Sequence, residues 1–183
     1  MRRVFISIQT TRSAPQQLML DCVFAALHDL ALAPVTVHNS QEGYDPLPEI
    51  RQRMRSCQGA LIIALERFRW ASGVEYPDSA DAMSYIDRRN STIWNHIEAA
   101  MAYQAGLPVL ILQEQGLHSA GMLNKQLGSV MIAEFRLDDC MSGLPEAVQR
   151  SLEEWSQAVM SQPVNAPRSE QVWSSNMGNC PQS

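Results

Sequence analysis

Lysine is almost missing from this chain: Lys125 is the only one, and every other basic side chain is arginine. With a formal net charge of −5, a pI near 5.3 and no basic run, the sequence lacks the electrostatic footprint of a duplex nucleic-acid binder, and no DNA partner is expected. Long apolar runs are missing too. The longest, Ala60 to Leu65, is far too short to span a bilayer, so no membrane partner is expected. Polar Ser7, Gln9, Thr10 and Thr11 follow Val4-Phe5-Ile6 at once, and no signal-peptide core develops; a cytoplasmic location is the expectation. The four cysteines (Cys22, Cys57, Cys140, Cys180) form no CxxC pair and no histidine stands at finger spacing, which indicates neither zinc site nor redox motif. Cys22 and Cys57 stand in apolar helical contexts and read as buried reduced thiols. Asp78, Asp81 and Asp87 do not make a calcium loop, and neither GxGxxG nor GxxxxGK[ST] occurs.

What is present is alternation. Val4 to Ile8 reads as a buried strand, Pro15 to Leu30 as a helix and Val35 to Val37 as a second strand. Leu47, Ile50, Met54 and Cys57 make the stripe of a short helix, and Ala60 to Leu65, apolar at every position, fits a strand covered on both faces. Ser91 is placed to cap a helix from Thr92 to Ala105. Leu107 to Leu112 and Val130 to Phe135 follow as strands, Met122 to Leu127 as a helical turn and Leu144 to Met160 as an amphipathic helix. This order predicts a flavodoxin-like, doubly wound sheet of about five parallel strands with helices on both faces. The expected organisation is one α/β domain over 1–160, interrupted by an irregular insertion at 66–90, and a polar tail over 161–183.

Ligands of such sheets bind beyond the carboxyl ends of the strands, a rim that here includes Gln9 to Ser13, Asn39 to Pro46, Glu66 to Trp70 and Gln113 to Gly121. The Ser91 helix starts at that rim. In its segment Trp94-Asn95-His96-Ile97-Glu98, Trp94 and Glu98 are four apart and share a face. On spacing alone a solvated helix charge is the commoner fate of such a Glu. Against it stand Ala99, Ala100, Ala102 and Ala105, which leave Glu98 as an isolated carboxylate at the mouth of an apolar helix. His96 and His118 show no triad or metal spacing and read as bystanders.

The Trp94-to-Glu98 segment resembles the Trp-x-x-x-Glu signature of TIR domains, and Val4 to Ser7, the Gly43 to Pro48 loop and the Ala60 to Leu65 strand resemble their opening strand, loop and third strand. Glu98 to Val109 is similar to the Glu-containing helix and strand of nucleoside 2-deoxyribosyltransferase-like proteins. The long 66–90 segment departs from the short TIR connection. The first resemblance implies an NAD glycohydrolase or cyclase, with NAD as substrate and no bound cofactor, whose product serves as a signal in bacterial anti-phage defence. The second implies a nucleoside or nucleotide N-glycosidase or a deoxyribosyltransferase; a non-catalytic nucleotide-sensing or assembly module is the third reading. Both resemblances make Glu98 the catalytic carboxylate, stabilising or attacking a ribosyl centre. Phe5, Ser7 and Gln9 then line the pocket, Arg12, Arg67 and Arg69 are candidates for a pyrophosphate, and Tyr44, Trp70, Tyr76 and Tyr85 for stacking. Trp94 reads first as packing that fixes the helix and second as a stacking partner. The partners implied are NAD or a related nucleotide, and a homo-oligomeric or partner-protein contact through the insertion and the Gly43 to Pro48 loop.

Overall fold

A computed structural model of the chain describes residues 1–11, 13–37 and 45–163. Its elements begin with β1 (Arg2–Ser7), α1 (Ala14–Asp29), β2 (Leu32–Val35), α2 (Leu47–Arg55) and β3 (Gly59–Ala64). A hairpin of β4 (Phe68–Glu75) and β5 (Met83–Asn90) follows, then α3 (Ile93–Gln104), β6 (Val109–Glu114), β7 (Met131–Phe135) and α4 (Glu146–Met160). Five strands pair in parallel in the order β2-β1-β3-β6-β7, the flavodoxin-like order predicted. No helix among the described residues is long and apolar enough to cross a membrane.

The central strands are apolar at nearly every position because both faces are covered. Val4, Ile6, Leu61, Ile63, Leu110 and Leu112 pack on one side with Met19 and Leu27 of α1 and Leu152 and Trp155 of α4. Phe5, Ala60, Ile62, Val109 and Ile111 pack on the other side with Ile50 and Met54 of α2 and Ala99 and Ala102 of α3. The alanines of α3 let this helix lie close over β3. Gly59 is required for contact of another kind: a Cβ there would meet a Val159 side-chain carbon at 2.4 Å.

Several expectations need correction. The second strand begins at Leu32, not Val35, and contains Pro34; as the sheet's edge it tolerates a residue that cannot donate to a ladder. The Leu107 to Leu112 strand is displaced to Val109–Glu114, since pairing with β3 runs from Ala60 opposite Val109 to Ala64 opposite Gln113. The carbonyl of Pro108 instead serves Ala60 N (2.9 Å) and Trp155 Nε1 (3.0 Å). The insertion is not irregular: β4 and β5 are antiparallel, with Gly73 opposite Tyr85, whose ring occupies the space of the missing side chain. Much of both strands is exposed, so no alternation marks them in the sequence. The Met122 to Leu127 turn is two short 3-10 turns, Gly121–Leu123 and Lys125–Leu127. Cys57 is buried but Cys22 only partly so; of the tail, residues 164–183 lie outside the described residues.

Candidate active site

In this strand order the winding reverses between β1 and β3, and α3 begins above their carboxyl ends. The helix is capped by Thr92 rather than by Ser91, which is buried. Thr92 Oγ1 accepts from Asn95 N at 3.3 Å and donates to Asn95 Oδ1 at 3.0 Å. Asn95 is 1% exposed and faces the sheet; its Nδ2 donates to Ser7 Oγ at 3.0 Å and to the Ile63 carbonyl at 3.4 Å. Both ends of the Asn95 amide are thereby committed. The Ser7 hydroxyl also stands near the carboxyl of Glu98, one turn further along α3, and favours its charged form.

Glu98 is half-buried, and burial pushes its carboxyl up to about 7 against the lowering effect of the Ser7 hydroxyl. No cation pairs with it among the described residues. Removal from water without a countercharge disfavours the charged form, and the Ser7 hydroxyl offsets only part of that cost. The group therefore changes charge near neutral pH, as a carboxyl suited to chemistry on a developing cation does.

The other expected site residues divide. Ser7 joins Glu98 directly. Gln9 lies two residues beyond, with Nε2 donating at 3.1 Å to the Glu66 carbonyl, which also accepts from Gln16 Nε2 at 3.1 Å; its Oε1 is buried with no partner among the described residues. Phe5 does not line the rim: it is fully buried under α2 and α3 and supports the site from below. Trp94 is 41% exposed and stands outside the core, because Asn95, Ala99 and Ala102 are the residues α3 turns to the sheet. Arg67 is exposed and Arg69 is held by both oxygens of Glu66 at 2.8 Å, with Asp87 at 3.8 Å. Arg12 and Tyr44 lie outside the described residues. Trp70 and Tyr76 are exposed on the hairpin, where Tyr85 is half-buried. His96 is half-buried, and burial together with nearby His118 lowers its proton affinity. Among the described residues no three His, Cys, Asp or Glu side chains gather as metal ligands.

Sequence reading missed a second polar cluster at the β3–β6 end of the rim. Glu114, 5% exposed, accepts from Glu66 N at 2.8 Å. Arg89 of β5 donates to Glu114 and to Glu66, both at 2.5 Å, and to the Gln115 carbonyl at 2.9 Å. Arg69 and Arg89 together hold the Glu66 carboxyl below its ordinary range, although burial opposes them. Asn95 was also missed; the signal available was its place between the capping Thr92 and Glu98, three residues from each.

No family model matches the chain, and no curated protein matches it. Among solved structures it is similar to a CMP N-glycosidase, BcmB, from Clostridium botulinum (10% identity, 84% of this chain and 99% of that one, TM-score 0.48). It is also similar to a 2-deoxyribosyltransferase from Bacillus psychrosaccharolyticus (11%, 80% and 95%, TM-score 0.40). A third is FerB, a flavoenzyme NAD(P)H:(acceptor) oxidoreductase from Paracoccus denitrificans (12%, 88% and 99%, TM-score 0.47). Glycosidic-bond enzymes and a redox flavoenzyme thus stand among the same distant likenesses, which leaves the chemistry to be argued from the site.

Proposed function

We propose that the protein cleaves the N-glycosidic bond of a nucleoside or nucleotide, with Glu98 as the catalytic carboxylate. One observation carries the reading: an uncompensated, half-buried carboxyl sits on the first turns of α3, over the β1–β3 crevice, with its charge change moved to about 7. Departure of a base leaves an oxocarbenium-like sugar, and an ionised carboxylate poorly solvated by water stabilises that charge more strongly than one in bulk solvent. Glu98 acts in its ionised form, either as electrostatic partner of the sugar cation or by attack on the anomeric carbon; water then adds its hydroxyl to that carbon, displacing Glu98 where it has attacked, and its proton neutralises the departing nucleoside base. Ser7 and Asn95 are positioning residues: the chain from Asn95 Nδ2 through Ser7 Oγ orients the carboxylate and holds part of its charge.

The nicotinamide–ribose bond of NAD belongs to the same bond class. Its base leaves as a neutral molecule and needs no proton, so one carboxylate suffices there, as the resemblance to TIR domains implied. The test is release of free base from nucleosides, nucleoside monophosphates and NAD by purified protein, wild type beside Glu98→Gln. Release from a nucleoside or its monophosphate that is lost in the variant supports the reading. Release from NAD alone narrows it to an NAD glycohydrolase. Base release from none of them by the wild type sinks it and favours the non-catalytic nucleotide-binding reading.

A further inference from the structure

The β4–β5 hairpin carries an unusual load for a surface element. Phe68, Trp70, Val74, Tyr76 and Met83 are each more than half exposed, and Ile86 is 82% exposed. A two-stranded hairpin is marginal in water unless a further strand or layer covers it. Among the described residues the strands pair only with each other, apart from one bridge between Arg89 and Leu117 at the root. The inner ring contact, Trp70 with Tyr85 at 6.4 Å, and the Arg88 guanidinium 3.7 Å over the Tyr85 ring stiffen one side. Nothing among the described residues covers Ile86. Neither strand contains a lysine or a proline, the residues that commonly guard an open sheet edge.

The charges say what covers it. Residues 75–81, the tip, carry Glu75, Asp78 and Asp81 and no basic side chain; the root carries four arginines, Arg67, Arg69, Arg88 and Arg89, against two acids, Glu66 and Asp87. Arg69, Arg88 and Arg89 have carboxylate partners within their own chain. Arg67 at the root and Asp78 and Asp81 at the tip have no ion-pair partner among the described residues. A two-fold contact must be self-complementary, since the same patch meets itself. Two hairpins laid antiparallel satisfy that condition: each acidic tip meets the other's basic root while the apolar residues between are covered. Laid parallel, like charges would meet.

We infer that this hairpin is the two-fold dimer contact of the protein, joining a second copy of the same chain in antiparallel orientation. The inference does not depend on the glycosidase reading. Because the hairpin root also carries Glu66, whose carbonyl holds Gln9 and Gln16, the contact borders the candidate site without supplying the Glu98 carboxyl.

Sedimentation velocity of the full chain over a wide range of concentration tests it. The wild type is expected to dimerise, and Ile86→Asp combined with Trp70→Ser to stay monomeric with an unchanged circular-dichroism spectrum. Arg67→Glu and Asp81→Arg are each expected to weaken the dimer by roughly tenfold or more, as like charges are brought together. Mixed in equal amounts, these two variants are expected to recover the dimer, because each tip then meets a root of opposite sign. A wild type that stays monomeric at high concentration overturns the inference. So does a dimer indifferent to the hairpin substitutions, or one that the mixture does not restore.

Discussion

Two carboxylates on the same rim, Glu98 and Glu66, are driven in opposite directions. Glu98, over β1 and β3, has a serine hydroxyl and no cation, and burial pushes its carboxyl up to about 7. Glu66, at the end of β3, lies between two guanidinium groups, and its carboxyl falls below the ordinary range. The difference separates their tasks. Glu66, with buried Glu114, anchors the hairpin to the sheet through Arg89, a contact whose value lies in its being always charged. Glu98 has no structural partner that needs its charge, and the fold is less stable when that charge is present. Titratable groups pushed apart in this way are how a site separates the residue that reacts from those that hold.

The comparison breaks most sharply at Glu98. Glu98→Gln is expected to lower base release by roughly 10²–10⁴-fold, the usual scale for losing an acid–base or charge-stabilising group. The same substitution should stabilise the protein at alkaline pH. A carboxyl raised from 4.5 to about 7 in the folded state binds a proton more tightly there than in the unfolded chain. Its stabilising contribution is therefore complete below about 4.5 and is lost as pH rises to about 7. At pH 8 the wild type should be less stable than the glutamine variant by up to about 3 kcal/mol. At pH 4.5 the two should nearly coincide. Thermal melts at both pH values check this, and equal melting temperatures at pH 8 would mean that Glu98 is solvated. The rate of base release should correspondingly rise with pH through about 7 and then level off.

The opposite partner is sharpened by Arg89→Ala. It strips Glu114 and one side of Glu66 of their cation and leaves buried charge uncompensated. A loss of about 3 kcal/mol is expected, the lower end for breaking a buried pair, since Arg89 and Glu66 keep some contact with water. Chemical denaturation measures it. Replacing Glu114 by Gln in the same chain should recover part of the loss, because one of the orphaned charges is then gone.

Ser7→Ala tests the positioning chain. Removing the hydroxyl takes away the one interaction that favours the ionised form of Glu98, so the midpoint of the pH–rate profile should move above about 7. It also removes the acceptor of Asn95 Nδ2 at 3.0 Å, leaving only the longer contact to Ile63. A stability cost of about 1–2 kcal/mol is expected. A purely structural serine would change stability and leave the pH midpoint in place.

How much of this was legible follows from what each region requires of its residues. The sheet and its helices were legible because burial on both faces writes long apolar runs, as in Ala60 to Leu65, and because apolar stripes such as Ile50–Met54 recur at helical spacing. Glu98 stood out as a lone carboxylate on an alanine-rich helix. The displacement of β6 was not legible: polar Gln113 and Glu114 end a strand whose length is set by its pairing with β3, a distant segment. The hairpin was illegible for a related reason. Its strands have no buried face to impose alternation, and its anchor joins residues 66, 89 and 114, which no local pattern connects. Trp94 misled because a large aromatic beside a small-sided helix suggests packing, whereas the sheet-facing position goes to Asn95, whose amide finds partners on two strands.

The smallest effect is expected at Gln113, and it marks where the rim's polarity serves something other than folding. Its side-chain amide lies at the carboxyl end of β6, opposite Ala64, where the residue is 1% exposed and its Oε1 has no hydrogen-bond partner among the described residues. A buried acceptor left unmade costs stability, whereas an apolar group of the same shape costs nothing there. Gln113→Met, close in length and volume, should therefore raise stability by about 1 kcal/mol in the ligand-free protein. Differential scanning calorimetry reads the change. A rise in melting temperature would show that the amide is kept at the expense of the fold, as residues of a functional rim are. A fall would show that Gln113 is part of the scaffold, and the polar rim would then shrink to the β1–β3 end, where Ser7, Asn95 and Glu98 stand.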